Sequence, residues 1–522
     1  MEYKPSIFQV DELQACNEKE LIELSQLYSL SNGLLILPPP DVKNSTLLLD
    51  ASTTQPAYAL ATPAPTTIYP TPFPKRNFSQ AYDLQPIFNL LIDKIALDSE
   101  FLLEILKPVS KVDDFLAHLI EIFEATSQSV SNQPIRLGIH RSDYILHYDA
   151  ANEMGDLDGQ NLKEVINFFS SNKFKLLQVE INTIASSFGS LSSLTTGLHN
   201  FLSARTGNFW GHFPSENPQS SPIPENNSLL NIAKGLAQAH SLYGSAQAAV
   251  LFIVQEGERN VFDQRHIELA LFQRYGIIVI RKTLLQAKQD VHLGLDDKLY
   301  IDTQEISVVY FRSGYSPDDY PSAVEWEARL ILEKSRAVKC PNIAYHLAGS
   351  KKIQQVLAQP GVLERFISDP QHLDLIRQCF AGLYPLDYSP EGDAAFQKAL
   401  QSPSRFVMKP SREGGGNNIY GEDIVSFLQS LPENDPSRSA YILMDRILPP
   451  HLINNNVGLR FGQPSLRGNF VSELGIYGVF LTKNDDVSLN LAGGHLLRTK
   501  LDSSNEGGVA VGHSVIDSPY LV

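Results

Sequence analysis

Cysteine is scarce in this chain: Cys16, Cys340 and Cys379 are the only three among 522 residues, and none pairs with another in a C-x-x-C motif. So odd and dispersed a set argues against a disulfide framework and against a thiolate zinc site. The opening stretch "MEYKPSIFQVDELQAC" brings acids early and has neither a basic start nor an apolar stretch, so no secretory leader is expected and the cytoplasm is the expected compartment. No apolar run is long enough to cross a bilayer, and no membrane partner is expected. Positive charge is in deficit as well. Against 58 Asp and Glu stand 42 Lys and Arg, a formal charge of -16 that repels a phosphate backbone and argues against nucleic acid as a partner.

The commonest signatures of phosphate and zinc chemistry are missing too. There is no G-x-x-x-x-G-K-[ST], no G-x-G-x-x-G after a predicted strand and no H-E-x-x-H. "HRSD" at 140–143 approaches a kinase catalytic loop, but no D-F-G follows it. Nucleotide chemistry, if present, must run on another fold.

What is present is globular: 43% hydrophobic and 19% charged residues, in a chain long enough for two or three lobes. Residues 51–75, dense in Thr, Pro and Ala, read as an irregular, partly extended surface segment. Apolar spacing predicts helix over 83–107 and over 112–126, then strands in "PIRLGIHRSDYILH" (134–147) and "KLLQVEINTI" (175–184). The polar, Pro-rich stretch 215–227 is a candidate boundary. From Gln247, the runs "AAVLFIVQ", "GIIVIRK" and "ISVVYFR" alternate with the helical "VFDQRHIELALFQRY", which predicts a modest parallel-sheet α/β lobe with ligand-binding loops at its strand ends. A helix-rich section over 326–402 follows, then strands and Gly-rich turns to the end, with no internal repeat.

Several residue groups suit charged ligands. Glu180 and Asn182 are two apart on a predicted strand and so share a face, offering hard oxygens of the kind Mg²⁺ prefers; a solvated strand face is the competing reading. Lys409 ends an apolar run, and Glu413, Gly414, Gly415, Gly416, Asn417 and Asn418 follow it. A cation, a carboxylate, backbone N–H groups free to form an anion nest and two amides lie within ten residues, against the alternative of a slack turn. Arginines recur in "HRSDY" (Arg141), "ERNVFDQR" (Glu258, Arg259, Asn260, Gln264), "FRSGY" (Arg312, Tyr315) and "LLRTK" (Arg498, Lys500). Guanidinium forks hold carboxylates at two points, so together they suit a polycarboxylate substrate, while each alone suits a surface ion pair.

Those stretches, with "WEARLILEKSRAVKCP", "LAGSKK", "KPSREGGGNNIYGE", "YILMDRI", "SELGIYG" and "EGGVAVG", occur in one order along the chain, and in that order it resembles the eukaryotic-type glutathione synthetases of the ATP-grasp superfamily. The resemblance implies an α/β (α+β ATP-grasp) fold with a smaller parallel-sheet α/β substrate-binding lobe and a Gly-rich lid. The implied division is 1–245 with the first metal ligands, 246–350 as substrate lobe, and 351–522 as lid and nucleotide part packing against 1–245. The implied reaction joins γ-glutamylcysteine to glycine through an acyl phosphate, with ATP as co-substrate and Mg²⁺ as cofactor, in a homodimer. Carried over by position, the metal ligands are Glu180, Asn182 and Glu413. ATP falls to Lys351, Lys409, Gly414, Gly415, Gly416, Asn417, Asn418, Tyr420, Met444, Asp445, Arg446, Ile447, Glu473, Lys500 and Glu506. The dipeptide and product side falls to Arg141, Ser186, Ser187, Glu258, Arg259, Asn260, Gln264, Arg312, Tyr315, Arg498, Val509 and Ala510, with Arg498, Lys409 and Arg141 as the catalytic charges.

Departures from the family pattern are specific. Ala185 stands where serine is frequent, Asp445–Arg446 replaces Glu–Lys, and Val511 replaces a small residue near the acceptor-amine pocket. Val511 motivates an alternative acceptor such as β-alanine. A catalytically silent ATP-grasp binding protein is the other alternative, opposed by the presence of Glu180, Asn182, Glu413, Lys351, Lys409 and Arg498. Cys340 reads as a buried structural thiol.

Overall fold

The computed structural model describes residues 18–38, 60–127, 133–148, 167–170, 174–206, 221–411, 417–450, 452–505, 507–509 and 512–522. Cys16, Glu413, Gly414, Gly415, Gly416, Glu506, Ala510 and Val511 lie outside the described residues.

A seven-stranded sheet forms the frame, in the order Leu452–Arg460, Thr66–Thr67, Ser514–Asp517, Asp486–Leu501, Gln463–Lys483, Ile135–His147 and Lys175–Asn182. Its spine is the hairpin of the two longest strands, closed between Lys483 and Asp486, where Asn484 takes φ 55. Asparagine tolerates that left-handed conformation, which two-residue hairpin turns need. The strand Ile135–His147 pairs antiparallel with Gln463–Lys483 and with Lys175–Asn182, so chain segments over 300 residues apart meet edge to edge.

The predicted parallel lobe is present. Ala249–Ile253, buried at all five positions, pairs in parallel with Val279–Lys282 and Gln304–Phe311, and the latter with Val338–Cys340. Two antiparallel strands, Val291–Leu293 and Leu299–Ile301, extend the sheet. A four-stranded antiparallel sheet, Leu383–Pro385, Tyr441–Asp445, Phe406–Pro410 and Ile419–Tyr420, carries the helices Pro390–Gln401 and Glu422–Ser430. These close over their own small core of Leu386, Ala395, Phe406, Met408, Ile424, Leu428 and Leu443, separate from the two large cores.

Two expectations need correction. The helix predicted over 83–107 is two helices, Lys75–Leu97 and Ser99–Ser110, because the Asp98 carboxylate accepts from Phe101 N at 3.0 Å and caps the second one. The Thr/Pro-rich segment does not lie on the surface over its described part. Thr66, Thr67, Ile68, Thr71 and Phe73 are at most 2% exposed. Two of the buried hydroxyls find a buried acceptor: Thr67 and Thr71 donate to the Asp517 carboxylate at 2.7 and 2.6 Å, which removes the penalty for burying them. Cys340 is a buried strand residue, as expected of a structural thiol, and burial pushes its pKa up.

Candidate active site

Register across the frame sheet decides which side chains meet. Asp143 lies opposite Glu180 on one side and Gly475 on the other; Arg141 lies opposite Asn182 and Tyr477; Arg498 lies opposite Glu473. Side chains two apart on a strand point the same way, so 141 and 143, 180 and 182, and 473, 475 and 477 share one face.

On that face the Asp143 carboxylate, fully buried, is the hub. It accepts from Arg141 Nε at 2.6 Å and Nη2 at 2.8 Å, from Arg498 Nη2 at 3.0 Å and from Asn182 Nδ2 at 3.0 Å. Arg498 also bonds Glu473. Lys351 Nζ stands 3.2 Å from Glu180, and Lys409 Nζ donates to the carbonyl of Val179 at 3.0 Å. Four cations therefore surround three carboxylates. The field shows in the titrations: burial works to raise the Glu180 pKa, but Lys351, Lys409 and Arg498 outweigh it and hold the carboxyl at about 2. Burial pushes Lys409 down to about 8, against the pull of Glu180. Burial also raises Glu473, opposed by Arg498.

Beside this row runs the turn after the Lys175–Asn182 strand, where Ala185 and Phe188 take φ 51 and 69. Such strain persists only when surroundings dictate it. Arg141 Nη1 and the Tyr477 hydroxyl donate to Ser187 O at 3.1 and 2.5 Å, and Arg312 Nη1 donates to Ser186 O at 2.7 Å. The buried Asp263 carboxylate accepts from the N–H groups of Phe188, Ser190 and Leu191 at 2.9, 2.7 and 3.2 Å, which holds the start of the helix Gly189–Thr206. Ser186 is buried with its hydroxyl 3.4 Å from Ile139 O, whereas Ser187 is half-exposed.

The Glu258 carboxylate accepts from Asn260 N at 2.8 Å and from Gln264 Nε2 at 3.3 Å. Asn260 is 3% exposed, yet among the described residues neither atom of its side-chain amide has a partner, and Arg312 Nε also lacks one. Buried polar atoms left unsatisfied in this way mark a place for a polar ligand. Tyr315 is half-buried nearby, its phenol pushed up to about 12 by burial and the Asp319 and Glu258 charges. Arg259 departs from the group and donates to Leu37 O at 3.1 Å.

A cavity of about 520 Å³ opens on the four-stranded module, lined by Asn418, Tyr420, Phe427, Arg446 and Asn505 among others. Tyr420 and Lys500 both donate to Asn505 O, at 3.3 and 2.8 Å, which ties the module to the frame sheet. Asn417 precedes this wall, Met444 is buried in the strand behind it, and Asp445 accepts from Tyr384. Ile447 follows that strand, and Val509 is buried ahead of the strand Ser514–Asp517.

Among the described residues no group of three or more His, Cys, Asp and Glu can hold a metal ion by itself. Asn182 nevertheless fits one role: its amide nitrogen is committed to Asp143 and to Arg141 O, which leaves its oxygen as a donor beside Glu180. Two hard oxygens suit a Mg²⁺ ion that arrives with phosphates. The residues missed in the sequence are Asp143, Asp263, Tyr477 and Asn505. The first had a usable signal, since "RSD" places its acid two residues from Arg141 on one strand face.

Residues 15–521 match the family model described as eukaryotic glutathione synthase, ATP binding domain. The chain is 44% identical over 462 residues to the chloroplastic glutathione synthetase of Solanum lycopersicum, covering 88% of this chain and 78% of the relative. It is 43% identical over 460 residues to the glutathione synthetase of Homo sapiens, covering 88% and 90%. Against that of Rattus norvegicus it is 40% identical over 510 residues, covering 97% and 98%. A solved glutathione synthetase-like effector from Globodera pallida, in its apo form, shares the fold with TM-score 0.70 at 22% identity, covering 99% of this chain and all of that one.

Proposed function

This chain belongs to the eukaryotic glutathione synthase family, and from that premise we propose that the charged row around Asp143 is where ATP activates γ-glutamylcysteine for attack by glycine. The protein makes glutathione by ATP-dependent ligation. The observation that carries the site assignment is the meeting of Arg141, Arg498, Lys351 and Lys409 around Glu180 and Asn182 on one sheet face.

The cysteinyl carboxylate forms a bond to the γ-phosphorus while the bond from that phosphorus to the bridging oxygen of ADP breaks. The glycine nitrogen then bonds to the acyl carbon, inorganic phosphate leaves, and the nitrogen loses its proton. No covalent nucleophile from the protein is needed; positioning and charge neutralisation supply the acceleration. Arg498 and Arg141 face the carboxylate and the transferring group, and Lys351 and Lys409 lie beside the phosphates. Asn260, Gln264, Glu258, Arg312 and Tyr315 hold the γ-glutamyl end, with the main chain at Ser187. The nucleotide base takes the cavity walled by Asn418, Tyr420 and Arg446, next to Met444, Asp445 and Ile447 in the chain, with Lys500 reaching its Asn505 wall and Glu473 nearer the phosphates beside Arg498. Glu180 and Asn182, with Glu413 as the resemblance implies, would hold Mg²⁺, which when bound neutralises phosphate charge.

A homodimer fits the exposed apolar face of the helix Val261–Tyr275 and its exit, where Leu269, Phe272 and Ile278 are 50%, 60% and 57% exposed. The cytoplasm fits the sparse cysteines, two of which are buried free thiols. The division at 245 and 350 is supported by a parallel sheet contained in 249–340 and by the separate core of the four-stranded module. The test of the site is Asn182→Ala. It should raise the Mg²⁺ concentration for half-maximal binding of a non-hydrolysable ATP analogue by about tenfold or more. An unchanged Mg²⁺ dependence would sink the metal assignment.

A further inference from the structure

We infer that Asp143 is a positioning residue for ligation: its carboxylate holds the guanidinium groups of Arg141 and Arg498 at the reacting carboxylate and turns the Asn182 oxygen toward the phosphates. The inference rests on the ligase reading of the site.

Three observations carry it. The carboxylate is fully buried and receives four hydrogen bonds from three side chains, one of them from Asn182 and two from Arg141. A buried anion so completely occupied by cations and donors cannot itself meet an anionic substrate, but it fixes the groups that do. The orientation of the Asn182 amide follows from chemistry, since both of its neighbours on that side, Asp143 Oδ2 and Arg141 O, are acceptors. Only the nitrogen can face them, so the oxygen must face away.

The third observation is the opposite strand. A Cβ at Gly475 would lie 2.6 Å from Asp143 Oδ1 and 2.8 Å from Arg141 Cδ. Glycine is therefore required at 475 for the Arg141–Asp143 pair to lie flat against the sheet, with Arg498 reaching over from the next strand. Without Asp143, Arg498 would keep Glu473, but Arg141 would lose the only carboxylate it bonds among the described residues, and Asn182 would lose its orienting acceptor.

Asp143→Asn keeps the shape and removes the charge. Turnover per nucleotide-binding site should fall about 10- to 100-fold, and the Mg²⁺ needed for half-maximal binding of a non-hydrolysable ATP analogue, read without turnover, should rise by a similar factor. Gly475→Ala displaces the same pair without changing any charge and should reproduce the loss of turnover. A merely structural Asp143 would lower the melting temperature of both variants while leaving turnover per folded site and Mg²⁺ dependence unchanged. Turnover in folded D143N within about threefold of wild type overturns the inference, and so does failure of both variants to fold. Wild-type protein assayed alongside separates the two levels: if it does not ligate, the ligase reading and this inference fall together, whereas ligation by wild type and D143N alike refutes the inference alone.

Discussion

Raising the pH from 7 to 9 should strip the nucleotide site of one of its charges. Lys409 is 5% exposed, and burial outweighs the attraction of Glu180 to bring its pKa down to about 8. The free protein then carries a charged Lys409 in about nine-tenths of molecules at pH 7 and about one-tenth at pH 9. Phosphates favour the charged form, so binding above pH 8 must draw a proton onto the amine, and affinity for a non-hydrolysable ATP analogue should drop about tenfold between pH 7 and 9. Glu180, held at about 2, stays ionised throughout and adds nothing to the slope. Calorimetry in buffers of different ionisation enthalpy measures both the affinity and the proton taken up. In Lys409→Arg the guanidinium stays charged across this range, so the profile should flatten, with weaker binding at its best because the fork does not match a point-charge site. Affinity flat to pH 9.5 in the native protein, or an unchanged titration near pH 8 in K409R, would mean that Lys409 is not the group that titrates at the phosphates.

Other outcomes follow from single residues. Asn260→Ala should raise KM for γ-glutamylcysteine and lower kcat/KM about 10- to 100-fold, since among the described residues the buried amide has no partner and the proposed substrate would supply one; unchanged kinetics would remove it from the site. Phe480→Ala, at a fully buried position in the largest core, should cost about 3–5 kcal/mol in denaturant unfolding, and a loss below about 1 kcal/mol would contradict the packing. Phe272→Glu should break the proposed homodimer in sedimentation; an undisturbed dimer would move the interface elsewhere, and a monomeric wild type would remove the dimer reading. Glycine should exceed β-alanine in kcat/KM, and a preference for the longer amine would overturn the choice of acceptor.

Much of the site was legible wherever chemistry and strand period coincide. Glu180 and Asn182 were placed correctly on one face because a spacing of two on a strand allows nothing else. The parallel lobe was legible because buried parallel strands read as unbroken apolar runs. Arg141 and Arg498 could be suspected singly but not joined: 357 residues separate them, and only the pairing of Gln463–Lys483 with both of their strands brings them onto one carboxylate. The burial of Asp143 is not legible in the sequence, because an acid close to an arginine resembles any surface pair and burial is a property of the assembled sheet. The burial of Thr67 and Thr71 is hidden in the sequence for the same reason, since their acceptor Asp517 lies at the far end of the chain.

ADP release from the purified protein with ATP and Mg²⁺, followed while each co-substrate is omitted in turn and with glutathione identified in the product by mass, tests the ligation itself. ADP should appear at full rate only when γ-glutamylcysteine and glycine are both present, in equal amount to glutathione. Robust ADP release with either one missing, or none with all present, would contradict the account.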